Sequence, residues 1–346
     1  MVVRRSLSAL DRLRVCPGSA ALPSIAHRNV EAAVGHAVHA WIHVAASEGE
    51  STANARRGAI ADEEELAGEP RERFHKLVHG LDGCPAPAVA ITELALALLE
   101  DGTVVPIEGG KGQYPTITGL VLPGTIDAMW CELSGVPVPF EWVGSRPRVP
   151  RGAILWVVDW KTGQEEYVTP IAFNRQLRGA AVLAAKWTGA EGVVIAIGYI
   201  DGGAPRWEVY TDKYGRALVM GAPELADAER DVRAIVADAL AQDPAAPKLV
   251  LSPHCGWCDS KISCPAFVAA PRAMIAAVDT TPGALTRDQA EQLLPLYLAT
   301  KRALEMADAA LKAHARERGP IALPGGKEWG PQATTTATFE TAQTFP

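Results

Sequence analysis

The run Ala153-Ile154-Leu155-Trp156-Val157-Val158 is apolar and rich in β-branched and aromatic side chains, and it leads directly into Asp159-Trp160-Lys161-Thr162-Gly163. No other stretch limits the fold as tightly. It predicts a buried strand, here one that ends in two charges. Side chains alternate along a strand, so Asp159 and Lys161 project to the same side. A carboxylate and an ammonium at the end of a buried strand cost desolvation energy unless each has a partner. With a divalent ion on the carboxylate and the lysine facing a phosphate or an attacking water, the pair suits phosphodiester chemistry. As a bare tripeptide, D-x-K also fits a solvated strand end.

Composition narrows the setting. The chain has 346 residues, of which 48% are hydrophobic, enough for one large core or a core plus a subdomain. With 21% charged residues it is a globular chain rather than a disordered one. No apolar run approaches the ~20 residues needed to span a bilayer. The start, MVVRRSLSAL, lacks the apolar core of a signal peptide, so a cytoplasmic location is expected. A formal net charge of −7 argues against a generally basic surface. It leaves room for a local basic channel, because carboxylates that hold metals are themselves acidic. Six cysteines in such a chain point towards metal binding before disulfides.

Taken in order, Ser6 to Pro17 opens with a Ser N-cap signal and apolar residues at helical spacing, and Pro17 should end the helix near Cys16. Cys16 is then either accessible to a ligand or a packed thiol. Glu31 to His43 predicts an amphipathic helix. Glu31, Gly35, His39 and His43 share one stripe, and Val34, Val38, Trp41 and Ile42 form the apolar side. Gly35 costs about 1 kcal/mol against Ala, which suggests a close backbone approach there. His36 and His39 invite a zinc-hydrolase reading, but the H-E-x-x-H pattern and its glutamate base are missing; His36 and His43 read as surface histidines. Residues 48–72 predict a loop and a solvated helix, and Gly83-Cys84-Pro85-Ala86-Pro87 breaks the chain.

Strands are expected at Ala88–Leu98, with Glu93 inside it, at Thr103–Ile107, and at Thr116–Trp130 with an interruption at Pro123-Gly124. Gly109-Gly110-Lys111-Gly112 lacks the P-loop pattern. Asp127 is an acid within an apolar strand, and it needs a metal, a cation or several backbone donors. Residues 134–151, with repeated Pro and Gly, predict a long excursion at the tip of a hairpin. Thr169-Pro170 predicts a helix start, with the helix running to Trp187 and Asn174, Gln176 and Arg178 near its beginning. A buried strand at Gly192–Ile200, an edge strand at Trp207–Tyr210 and an amphipathic helix at Leu225–Leu240 follow. A long helix over Thr286–Arg318, kinked at Pro295, precedes a polar tail from Pro324.

Cys255, Cys258 and Cys264 stand in C-x2-C-x5-C spacing, a strong metal signal because short loops let thiolates converge on one centre. A fourth ligand is needed. Cys16 is the best candidate, since Cys16-Pro17 repeats the context of Cys264-Pro265, while Cys84 and Cys131 read as packed thiols.

The ordered set Cys16-Pro17, Glu31-x3-Gly35-x3-His39, Gly124-Thr125-Ile126-Asp127, Asp159-Trp160-Lys161, Gln176 and Cys255/Cys258/Cys264 resembles the RecB-like branch of the PD-(D/E)XK nucleases. More narrowly, it is similar to the iron–sulfur exonucleases of that branch, which include CRISPR-adaptation and phage-borne members. The resemblance covers residues ~6 to ~267, the region in which the ordered motifs fall. It implies an α/β fold of restriction-endonuclease type, a mixed central sheet flanked by helices, with an iron–sulfur staple joining the N- and C-terminal segments. On this reading His39, Asp127, Asp159 and the Trp160 carbonyl would hold Mg2+ or Mn2+, and Lys161 would position or activate the attacking water. Gln176 matches the glutamine of the family's Q-x-x-x-Y motif, whose tyrosine is here Ala180. Cys16, Cys255, Cys258 and Cys264 match ligands of a [4Fe-4S] cluster, with zinc the alternative.

The implied function is a metal-dependent DNA exonuclease acting on single strands or exposed ends, in recombination, repair, or phage defence and adaptation. The implied partners are DNA and recombination or adaptation proteins, with no membrane. Retained fold without cleavage, a DNA-binding module of a larger complex, is the alternative that the absent tyrosine leaves open. Arg175, Arg178, Lys186 and Trp187 are weaker candidates for DNA contact. The expected organisation is an N-terminal segment at 1–27, a nuclease core at 28–215, a helix and three-cysteine segment at 216–272, a helical extension at 273–323 and a polar tail at 324–346.

Overall fold

The computed structural model describes residues 6–23, 30–81, 83–108, 117–162, 168–279, 285–323 and 327–330. The Gly109–Gly112 stretch and Gly163 lie outside the described residues. The chain divides into two compact units, one of residues 1–250 and 258–264, the other of residues 251–257 and 265–346. No helix among the described residues is long and apolar enough to cross a membrane.

The first unit is built on a mixed sheet. Its principal strands are β1 (Ile91–Leu99), β2 (Val104–Pro106), β3 (Leu120–Leu133), β7 (Ile154–Lys161), β8 (Val193–Tyr199) and β9 (Arg206–Val209), in the order β2-β1-β3-β7-β8-β9. All neighbours are antiparallel except β7 and β8, which are parallel. A parallel pair needs a crossover, and helix α5 (Arg175–Thr188) provides it.

The apolar run that opened the sequence reading is buried on both faces. Leu155 and Val157 of β7 pack in a core with Leu7, Leu10, Leu177, Leu183, Val232 and Val236. These come from the N-terminal segment with α1 (Leu10–Val15), from α5, and from α6 (Ala222–Leu240). Val158 and Trp160 face the other way and pack with Val38, Trp41, Ile42 and Phe74, from α2 (Val30–Glu48) and α4 (Glu69–His79). On this second face Trp130 stacks on Trp156 with centroids 6.0 Å apart, and Trp207 meets Trp160 edge-on at 5.1 Å. Gly198 lies opposite Trp160 in the β7–β8 register, and any side chain there would strike the indole.

Several expectations change. Within residues 48–72, α3 (Glu50–Glu63) begins directly after α2, Gly49, at φ +94°, makes the corner, and a short connection at 64–68 leads into α4. Ala53, Ile60 and Ala61 bury one side of α3, and most of its other residues are exposed. β3 runs through Pro123 without interruption, in register with Ala97. β7 pairs only with Ala128–Glu132 of β3, so at Pro123 the strand has a free side where a missing N–H costs no ladder bond. The excursion after β3 carries β4 (Val136–Val138) and a hairpin of β5 (Glu141–Val143) and β6 (Arg146–Arg148). Helix α5 starts later than Thr169-Pro170 suggests. Those residues lead into a single turn at Ile171–Phe173, and the Asn174 side chain accepts the Leu177 N–H at 2.9 Å as the true N-cap.

In the second unit, α7 (Pro265–Asp279) is followed by α8 (Arg287–Arg318), one helix that runs through Pro295. Thr286 and Gln289 cap α8 reciprocally. A hairpin of β10 (Ile321–Leu323) and β11 (Lys327–Trp329) follows.

The N-terminal segment enters this core through Leu7, which is 2% exposed and lies over Gly124 of β3 and Gly179 of α5. A Cβ on Gly179 would fall 2.7 Å from Leu7 Cδ2. Leu7→Ala is expected to cost roughly 3 kcal/mol, a drop in Tm of about 6–10 °C. Gly179→Ala alone should also destabilise, and in the Leu7→Ala background its penalty should shrink. Thermal denaturation of the three variants tests the contact.

Candidate metal centre

The site grows from the place where β3 and β7 part. Their ladder ends at Ala128 opposite Val158, so the next positions in register are Asp127 and Asp159. In place of a further ladder bond, the Trp160 N–H donates to Asp127 Oδ2 at 2.9 Å. On the other side of β3 the same arithmetic sets Glu93 of β1 opposite Asp127, between the pairs Thr92–Ala128 and Leu94–Ile126. Glu93 has φ +53°, an uncommon conformation for a residue with a side chain. Three carboxylates thus stand on three neighbouring strands.

Helix α2 brings His39 to them. Its Nδ1 lies 3.1 Å from Glu93 Oε1 and 3.5 Å from Asp127 Oδ1, and its Nε2 lies 3.2 Å from the Trp160 carbonyl. Gly35, one turn earlier on the same stripe, allows this approach, since a Cβ there would come 3.2 Å from Thr162 Oγ1 just beyond β7. From the other face, α5 presents Gln176, whose Nε2 donates to Asp159 Oδ1 at 2.8 Å. Lys161 Nζ lies 2.7 Å from Asp159 Oδ2, a charge contact without the angles of a hydrogen bond.

Burial pushes the Asp159 carboxyl up to about 6, opposed by Lys161 and reinforced by Asp127. Burial acts against the Lys161 ammonium, but Asp159 and Asp127 outweigh it and hold Lys161 above the usual lysine value. Asp11 of α1 adds to that field and accepts the Arg175 N–H at 3.1 Å, tying down the first turn of α5.

Ligand atoms of His39, Glu93 and Asp127 all lie within 4.8 Å of one another, the one such group among the described residues. Atoms on opposite sides of an ion bound at 2.0–2.6 Å are about 4–5 Å apart, so the group fits a divalent cation. The donor chemistry fits as well, since oxygen-rich sites suit Mg2+ and Mn2+ and imidazole accepts transition metals. The cysteine sulfurs form no comparable group. Cys16, Cys131, Cys258 and Cys264 are buried. Cys16 Sγ accepts the Val250 N–H and Cys255 Sγ the Ser252 N–H, each at 3.3 Å.

The structure therefore gathers His39, Asp127, Asp159, the Trp160 peptide, Lys161 and Gln176. It also adds Glu93 and Asp11, which the sequence reading did not select. Glu93 had a signal, a charge inside an apolar strand, while Asp11 had none. Two candidates for DNA contact are engaged elsewhere: Lys186 pairs with Glu229 at 2.9 Å, and Trp187 packs under Arg146. Arg175 is held between Asp11 and Asp231. His36 lies 3.6 Å from Glu64 and is half exposed, and His43 bonds Thr92 on the surface.

A family model described as PD-(D/E)XK nuclease superfamily matches residues 4–265. The chain belongs to that superfamily. Its metal-dependent nuclease chemistry suits the acidic group at the fork. No curated protein matches the chain significantly. Among solved structures, one titled "Crystal structure of SSO0001" is 16% identical, with a TM-score of 0.25. That match covers 51% of this chain, and the chain spans 60% of that structure's length.

The raised Asp159 value sets a sign for stability in this PD-(D/E)XK protein. The folded state holds the proton more tightly than the unfolded chain, so stability falls as pH rises from 3.8 to about 6. A divalent ion requires the deprotonated site and should offset that loss. Mn2+ is expected to raise Tm clearly at pH 7.5 and little at pH 5. Glu93→Gln should weaken Mn2+ binding by roughly tenfold or more in calorimetric titration. Equal affinity in the variant would remove Glu93 from the ligand set.

Proposed function

We propose that this PD-(D/E)XK protein is a Mg2+- or Mn2+-dependent deoxyribonuclease of the RecB-like type, an exonuclease on single-stranded or end-exposed DNA. One observation carries the reading: the His39–Glu93–Asp127 group shares its electrostatic field with the Asp159–Lys161 pair at the end of one buried strand. A phosphodiester gains negative charge as it is attacked, and a cation beside a metal-binding acid meets that demand.

His39, Asp127, Asp159 and the Trp160 carbonyl, with Glu93 beside them, are the groups that would hold the ion. When bound, a divalent ion supplies Lewis-acid stabilisation of charge on the scissile phosphate. The Trp160 N–H fixes one Asp127 oxygen, so the other is aimed at His39. Gln176 fixes Asp159 Oδ1 and leaves Oδ2 to Lys161. Lys161, 28% exposed, is the member of the pair open to solvent, and its ammonium orients water or offsets phosphate charge.

The four cysteines Cys16, Cys255, Cys258 and Cys264 are assigned to a [4Fe-4S] cluster. Backbone N–H groups donate to the Cys16 and Cys255 sulfurs, the kind of contact that cluster sulfurs accept. A tetrahedral zinc site draws sulfurs to about 4 Å of one another at Zn–S distances near 2.3 Å. Zinc at the same thiols is the alternative. The reading includes DNA as substrate, a role in recombination, repair or phage defence and adaptation, and a cytoplasmic setting.

The test is degradation of end-labelled single-stranded DNA by anaerobically purified protein, with Mg2+, Mn2+ or chelator. Cleavage should require metal, and Lys161→Ala, shown by circular dichroism to be folded and by visible absorbance to keep its cluster, should lower kcat at least about a hundredfold. A wild-type protein that retains DNA but never cuts it, across ends, strands and metals, would replace the enzyme with a binding module. Visible absorbance that iron analysis does not support would return the cysteines to zinc.

A further inference from the structure

The metal centre has a second cation beside it that the ion-holding groups do not involve. Lys161 at the end of β7 pairs in register with Tyr199 of β8, and Tyr199 pairs with Arg206 of the edge strand β9. Directly paired residues of adjacent strands share a face, so all three lie on the side of the sheet that carries Asp159 and α5. Tyr199 packs into the core on that side. The Arg206 guanidinium lies over the Tyr199 ring, 4.3 Å from its centroid, and Arg206 is exposed. Two strand spacings set its backbone about 10 Å from that of Lys161.

Hydrogen bonds tie this row to the start of α5. The Tyr199 hydroxyl donates to Glu208 Oε2 at 2.9 Å, and Glu208 Oε1 accepts the Ile171 N–H at 3.1 Å. The Ile171–Phe173 turn is thereby fastened to β9, and Gln176 of the metal centre follows it by three residues. Phe173 on that turn is 64% exposed. Its N–H donates to the Pro170 carbonyl at 2.8 Å, and its own carbonyl accepts from Arg175 at 2.9 Å, so the backbone beneath the ring is fixed. An exposed guanidinium stacked on one ring and an exposed ring on a fixed turn are the two elements that hold unpaired nucleic acid. The phosphate meets the cation, and the base stacks on the aromatic face. A duplex keeps its base faces stacked on one another and offers this surface its phosphates alone.

We propose that Arg206, on its Tyr199 platform, and Phe173 form a subsite for the nucleotide next to the scissile phosphate, selective for single-stranded DNA. The proposal rests on the nuclease reading for its occupant. The test is fluorescence anisotropy of a labelled oligothymidylate with full-length protein in Ca2+ over a range of salt. Gels check that the strand stays intact, and circular dichroism checks folding. Arg206→Ala should weaken binding roughly tenfold and flatten the slope of log affinity against log salt by about 0.7, the loss of one phosphate contact. Arg206→Lys should restore the slope but not the full affinity, since lysine keeps the charge and lacks the planar fork. Phe173→Ala should weaken binding roughly tenfold with the slope unchanged, and should leave binding to a duplex near wild type. Wild-type affinity and slope in Arg206→Ala, wild-type affinity in Phe173→Ala, or an equal loss in the exposed control Arg230→Ala would overturn the proposal. A wild type that binds the strand in this way but never cuts it with Mg2+ or Mn2+ would remove the nuclease reading and leave the subsite standing.

Discussion

Negative charge concentrated at the end of a buried strand is the constraint on which the rest of this site depends. Register aligns Glu93, Asp127 and Asp159 across three neighbouring strands. At the ~5 Å spacing of strands, two unit charges repel by about 3 kcal/mol at an effective dielectric of 20. That cost recurs for each adjacent pair, and desolvation adds to it. What offsets it comes from elements far apart in the chain: Lys161 from the same strand, His39 from α2, a backbone N–H from Trp160 and an amide from Gln176 on α5. The placement of α2 and α5 on opposite faces of the sheet is therefore an electrostatic requirement as well as a packing one. One divalent cation would complete the compensation that a single lysine and a histidine leave unfinished.

Trp160 connects this polar edge to the apolar interior. Its peptide faces the site, donating to Asp127 and directing its carbonyl to His39, while its indole is buried against Gly198 and Trp207 on the far face. The residue between Asp159 and Lys161 is thus held by packing that the site does not share. Stacked Trp130 and Trp156 extend the same support along β3 and β7. A peptide group anchored in this way cannot swing to follow a ligand, so the distance between Asp127 and Asp159 is fixed by the sheet.

Much of this was legible in the sequence because the decisive signals were local. The apolar run before Asp159 announced a doubly buried strand, the four-residue stripe of Gly35 and His39 announced one helical face, and both hold in three dimensions. The failures share a different cause. Glu93 was visible as a charge in a strand, but its importance depends on register with Asp127, and register is a property of two strands together. Asp11 caps a backbone N–H 164 positions away, which no local pattern encodes. At α5, two start signals competed, and the Asn174 side chain prevailed over Thr169-Pro170 because it reaches the Leu177 N–H directly. Pro123 was read as a break because the one-sided pairing of β3 at that point was not yet known.

The N-terminal segment deserves a causal place in this arrangement. Within ten residues it contributes Leu7, wedged between β3 and α5; Asp11, which holds the first turn of α5; and Cys16, whose sulfur accepts the Val250 N–H. Gly18 follows, packed so closely on Lys248 that its N–H donates to that carbonyl and no side chain would fit. Gln176 sits one residue beyond the N–H that Asp11 accepts, and its amide orients Asp159. Anchoring of Cys16 at one end of this segment therefore bears on the orientation of the Asp159 carboxylate at the other. If the cysteines hold a cluster, its loss would free the segment that carries Leu7 and Asp11 before it disturbed the sheet. The metal centre would then fail through Gln176 and Asp159 while the strands that carry its carboxylates remained folded.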